Sequence, residues 1–216
     1  MKRSIQVVSN CHGVLPTIKE TPDLLILSGT ISPVFKQSHK SLMEEWLLER
    51  FAKWVLSNPA KEILLVPGKY DVVFCTKRNK SVSKLLTKIG AICGPRVSVC
   101  TSGVFRANCS LDIGILSSMI EEDKSYAFSD NEENYIKALK KIPKSTSVIV
   151  SNTDENTDAF KEFLEGADTK VVFASTNHDK PLDASKVNNA VILKPSYCKS
   201  DFLTPHEIDK ILALTL

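Results

Sequence analysis

The chain has 216 residues, of which 43% are hydrophobic and 25% charged, with a formal net charge of +3. This is the balance of an ordinary globular protein, and a chain of this length buries roughly 70% of its unfolded surface without needing a disulfide or a structural metal. One domain spanning 1–216 is expected, the small charge argues against a dedicated nucleic-acid binder, and no run reaches the ~20 apolar residues of a membrane span.

Cysteines stand at Cys11, Cys75, Cys93, Cys100, Cys109 and Cys198. None forms a C-x-x-C pair, which argues against a zinc ribbon or a thioredoxin-type site. Met1-Lys2-Arg3 is basic, but the apolar run behind it breaks at Ser9-Asn10 and does not read as a signal peptide. Free thiols in a reducing, cytoplasmic setting are the expectation.

In chain order, apolar β-branched runs ended by turn residues predict buried strands at 5–8, 24–27 and 63–66. They stop at Asn10-Cys11-His12-Gly13, at Gly29-Thr30 and at Gly68-Lys69-Tyr70-Asp71. A helix is expected between the second and third. Ser41 and Glu44 have capping-box spacing, Met43, Leu47, Phe51, Trp54 and Val55 recur at helical period, and Asn58-Pro59 ends the run. Trp46 and Trp54 read as core packing. Further helices are predicted at 81–89 closed by Gly90, at 134–141, at 158–164 closed by Gly166, and after Thr204-Pro205. Further strands are predicted at 97–100, 148–150, 171–173 and 191–193, with a long surface loop at 121–134. The pattern is mixed α/β. Two basic clusters, Lys77/Arg78/Lys80 and Lys137/Lys140/Lys141, read as solvated surface.

In open α/β sheets, ligands bind beyond the carboxyl ends of strands, so the residues following each strand are the candidate site. Their order and spacing resemble the calcineurin-like metallophosphoesterases, whose signature is Asp-x-His, then Gly-Asp, then Gly-Asn-His-Asp/Glu, each directly after a strand. The phrases Pro22-Asp23-Leu24-Leu25-Ile26-Leu27-Ser28-Gly29 and Ile63-Leu64-Leu65-Val66-Pro67-Gly68 carry the likeness. It is strongest over residues 4–74 and extends more weakly to the family's later Thr-His and Gly-His-x-His motifs. The resemblance implies a two-sheet sandwich flanked by helices, α/β/β/α.

The family's two divalent ions need anionic oxygen and imidazole ligands that offset the metal charge, activate water and clamp phosphate. By that resemblance this chain departs at nearly every ligand position. Asn10 replaces the first aspartate and His12 remains. Thr30 replaces the bridging aspartate, Lys69 the asparagine, and Tyr70 the histidine that protonates the leaving group, while Asp71 is kept. Asn152, after Ser151, replaces the Thr-His histidine. Ser175-Thr176-Asn177-His178 aligns with the last motif, so that Thr176 replaces one histidine and His178 survives.

His12 and His178 with one amide make a poor Mg²⁺ or Mn²⁺ site, though weak Zn²⁺ or Ni²⁺ binding is open to them. The other reading is two leftover histidines in a filled pocket. The Lys69 ammonium either takes the place of the second ion, holding Thr30 or Asp71, or turns to solvent. Cys11 beside His12 raises an activated thiol, but adjacent residues at a strand end point apart and no third orienting group is evident.

The expectation is a degenerate, catalytically inactive scaffold with no cofactor that binds a protein partner. The alternatives are a divergent phosphohydrolase with one weakly bound divalent metal, and a metal-free phosphate or nucleotide binder.

Overall fold

The computed structural model describes residues 4–33, 39–120, 126–152, 157–175, 183–194 and 201–203, and over these the chain is mixed α/β. The first six strands are β1 (Ile5–Ser9), β2 (Leu24–Gly29), β3 (Ile63–Pro67), β4 (Val97–Val99), β5 (Ser102–Ala107) and β6 (Leu111–Leu116). They are followed by β7 (Met119–Ile120), β8 (Ser129–Asp130), β9 (Val148–Ser151), β10 (Val171–Ala174), β11 (Asp183–Val187), β12 (Ala190–Lys194) and β13 (Asp201–Leu203). The helices are α1 (Lys40–Trp46), running through a π-helical turn Leu47–Phe51 into α2 (Ala52–Ser57), then α3 (Val82–Cys93), α4 (Glu132–Leu139) and α5 (Asp158–Glu165).

Two large sheets form. One has the order β13-β1-β2-β3-β4, with β1 to β4 parallel and β13 antiparallel on the edge of β1. The other has the order β11-β12-β10-β9-β6-β5, parallel from β6 to β12 with an antiparallel strand at each edge. In each, the parallel strands follow chain order without reversal. Right-handed crossovers that never reverse direction put all their helices on one face of a sheet. Each sheet therefore keeps one face without helices.

The side chains sort accordingly. Alternate residues of a strand point to opposite faces. Val8, Leu25, Leu27, Ile63 and Leu65 pack under α1, α2 and α3 with Met43, Leu47, Phe51 and Ile89. Their neighbours Ile5, Val7, Leu24, Ile26, Leu64 and Val66 join Ile113, Ile115, Val148, Val150, Val171 and Phe173 of the second sheet in one cluster. The second sheet's other face, with Ile149, Val172 and Ile192, packs on Tyr135 and Leu139 of α4 and Phe160 and Leu164 of α5. Strands covered on both faces read as unbroken apolar runs, which is why β1, β2, β3, β9 and β10 stand out in the sequence. Each fully buried Leu, Ile or Val contributes about 1.5–3 kcal/mol.

Several sequence expectations are corrected. No side-chain cap is made at Ser41: α1 starts at Lys40, with His39 at the N-cap position, two residues before the expected cap. Gly90 lies inside α3, which runs on to Cys93 with Gly94 at its C-cap; nothing stands within 4 Å of Gly90's missing side chain, so this glycine is tolerated on an exposed helix face. The start of α4 is set at Asn131, whose side chain accepts a hydrogen bond from the Asn134 amide, two residues ahead of the expected helix. The expected loop at 121–134 contains β8 and the start of α4. The hairpin β5–β6 was not expected. The helix after Thr204-Pro205 and Cys198 lie outside the described residues, and the other five cysteines are thiols. Among the described residues, no helix is long and apolar enough to cross a membrane.

Candidate functional site

The carboxyl ends of β1, β2, β3, β9 and β10 meet where the two sheets come together, and buried polar residues gather there: Asn10, Ser28, Thr30, Asp71, Ser151 and Asn152. Two glycines make this convergence possible. A side chain on Gly29 (φ +80°) would lie 2.2 Å from Asn10 Oδ1, and one on Gly68 would lie 2.4 Å from the Gly29 carbonyl carbon. Gly68 is packed against the Gly29 backbone and Gly29 against the Asn10 and Ser175 side chains, and at Gly29 the left-handed φ also disfavours any other residue.

Asn10 and His12 both have left-handed backbone, at φ 49° and 47°, a conformation that Asn and His tolerate better than most residues. It folds the loop back along β2: the amides of Asn10, His12 and Gly13 donate to the carbonyls of Ser28, Thr30 and Ile31 at 2.8–3.0 Å. Asn10 Oδ1 accepts from the Thr30 amide at 3.1 Å. Thr30 is buried under this contact.

Asp71 is 0% exposed. Its carboxylate accepts from the amides of Ile31 (3.0 Å), Ser32 (2.9 Å) and Gly68 (3.0 Å). Burial pushes its pKa above the ordinary 3.8, and the three amide donors pull the other way. One side chain thus ties the turn after β3 to the loop after β2.

Asn152 does the corresponding work between the sheets. Its Nδ2 donates to the Pro67 carbonyl at 2.6 Å and its backbone amide to Leu116 at 3.0 Å. Its Oδ1 accepts from Ser28 Oγ at 3.3 Å, and Ser28 in turn accepts from Ser175 Oγ. These four hydrogen bonds join β2, β3, β6 and the ends of β9 and β10.

The remaining predicted residues lie at the rim. His12 is half-buried, and burial lowers its pKa from 6.5. It lines a cavity of about 500 Å³ together with Pro33, Trp46, Glu49 and Arg50, the last two on the π-helical turn. Its ring centroid is 6.5 Å from that of Tyr70. Tyr70 meets Tyr126 edge-on at 5.3 Å, and the Lys69 ammonium stands 3.9 Å from the centroid of the Tyr126 ring, a cation–π distance. Cys11 is fully buried in the helix-side core and does not share the His12 rim. Thr176 and His178 lie outside the described residues.

The geometry therefore brings Asn10, Thr30, Asp71 and Asn152 together, with Lys69 and Tyr70 beside them. The sequence reading missed Ser28, Ser175 and Tyr126. Small hydroxyl residues directly after apolar runs were the available signal for the first two; Tyr126 had none. As a dinuclear metal site the set does not fit. The oxygens of Asn10 and Asp71 are already acceptors for buried amides, and Asn152 offers its Nδ2 to a carbonyl. Among the described residues no three His, Cys, Asp or Glu side chains are grouped to hold an ion. Compared with known proteins, the chain matches no protein-family model and no curated protein sequence.

Proposed function

We propose that this chain is a metallophosphoesterase-like scaffold whose site has been converted from catalysis to structure, and that it serves as a binding or structural module for a protein partner. The observation that carries this reading is the use of the site's oxygens. Asn10 Oδ1 accepts from Thr30, and Asp71 accepts from Ile31, Ser32 and Gly68. A metal ligand needs a lone pair aimed at the ion, and here both Asp71 oxygens and the Asn10 oxygen are turned onto backbone amides. The succession of helices, sheet, sheet and helices supports the likeness in fold, and fold alone does not carry an activity with it. Tyr70 fits the same reading, because an ordinary phenol titrates near ~10 and is a reluctant proton donor at neutral pH.

The test is metal content and turnover in the same preparation. Protein purified with Mn²⁺ or Zn²⁺ should retain far less than two ions per chain and should not hydrolyse generic phosphomonoesters or phosphodiesters. Two tightly held ions, or metal-dependent turnover abolished by His12→Ala, would overturn the proposal.

A further inference from the structure

Members of the two basic clusters, more than fifty residues apart in the chain, are brought to a single cleft. Its volume is about 440 Å³, and Lys77, Lys137 and Lys141 all line it. That is the size of a small-molecule site, about 300–1,000 Å³.

How α4 presents itself shows why the cleft is polar on one side. Tyr135 and Leu139 enter the core. Asn134, Lys137 and Ala138 stand at the i, i+3, i+4 spacing of one side of α4 and line the cleft together with Lys141, in the turn that follows the helix. The helix and the turn after it thus bring two ammonium groups and an amide to a concave surface. The rest of the lining includes Thr76, Thr101, Ser102 and Ser118, which carry hydroxyls, and Phe74, Ala127 and Phe128, which supply apolar surface.

The charge balance favours an anion. The lining holds three lysines and one carboxylate, Asp130. Asp130 pairs with Lys77 and accepts from Ser118 Oγ at 2.6 Å. Lys137 pairs with Glu133, at 64% and 73% side-chain exposure. An ion pair as exposed as Lys137–Glu133 is worth about 0–1 kcal/mol, so an incoming phosphate, with roughly −1.5 to −2 charge and three acceptor oxygens, recruits the Lys137 ammonium at little cost.

We propose that this cleft binds a small phosphomonoester with a flat apolar body, of the nucleoside monophosphate type. The phosphate sits against Lys137 and Lys141 and the body against Phe128. The inference is independent of the metal-free reading of the other site, since none of those residues is used.

The test is calorimetric titration of the whole chain at low salt with AMP, inorganic phosphate and adenosine. AMP should bind more tightly than phosphate, and phosphate more tightly than adenosine. The double variant Lys137→Ala/Lys141→Ala should weaken AMP about tenfold or more. Phe128→Ala should weaken AMP while leaving phosphate unchanged. Lys84→Ala/Lys88→Ala, on the exposed face of α3, serves as the charge-matched control, and circular dichroism checks that each variant is folded. The proposal fails if AMP binds no better than ~1 mM, if phosphate binds as tightly as AMP, or if the α3 control loses as much as the α4 variant.

Discussion

The carboxyl ends of β1 to β3 and the cleft beside α4 are both rich in polar side chains, yet they are built differently. In the first, Asn10, Asp71 and Asn152 are buried and turned onto backbone amides and carbonyls of neighbouring loops. In the second, Lys137 and Lys77 stand at exposed positions, with partners that are also side chains. Buried polar groups are costly to unpair, whereas exposed pairs are cheap to exchange. The contrast separates polar residues that hold the fold from polar residues available to a ligand.

Asp71→Ala should show the largest effect. It leaves the buried amides of Ile31, Ser32 and Gly68 without their acceptor, and should cost about 3–5 kcal/mol in urea unfolding. Asp71→Asn keeps one acceptor oxygen and should recover part of that loss; a cost no larger than 1 kcal/mol for the alanine variant would mean the carboxylate is not the tie described. Next in size is Gly68→Ala. Its new Cβ would meet the Gly29 backbone at 2.4 Å, and overpacking of this kind costs about 1–3 kcal/mol. The corresponding change at Gly90, with nothing within 4 Å, should be neutral or slightly stabilising, by up to about 1 kcal/mol.

His12 gives a smaller, pH-dependent effect. Its folded pKa is lowered from 6.5 by burial, so the folded state binds fewer protons than the unfolded chain in the window just below that value. Stability contributed at this residue is present above the unfolded pKa and is lost as pH falls through it towards the folded value. Urea midpoints should therefore drop less on acidification in His12→Gln than in the native protein. The smallest effect belongs to the second region: Glu133→Gln should change stability by less than about 0.5 kcal/mol, because Lys137 and Glu133 are both solvated.

How much of this was legible depended on burial. Residues 24–27 and 63–66 were plain as strands because both of their faces are covered. The hairpin β5–β6 was not, because its sequence Ser102-Gly103-Val104-Phe105-Arg106-Ala107 alternates exposure along an edge and is read as weakly apolar. Ser41 and Glu44 have the spacing of a capping box, but the helix begins at Lys40, where backbone and packing decide the start. At the site, the strand-end positions identified Asn10, Thr30, Asp71 and Asn152 as residues to examine. Their partners were not legible, because Asp71 holds amides forty residues away and Asn152 reaches a carbonyl across the sheet interface. The meeting of Lys77 with Lys137 and Lys141 was hidden for the same reason: it exists only once α4 is laid beside the turn after β3.

The pairing of β13 with β1 has a consequence for synthesis on the ribosome. Residues 5–7 sit inside a sheet only because 201–203 return to cover them. A nascent chain exposes that β1 edge until the last described strand has emerged, tens of seconds at about 5–20 residues per second. An uncovered strand edge is a template for pairing with another chain. During that interval the β1 edge is open to such pairing until β13 covers it.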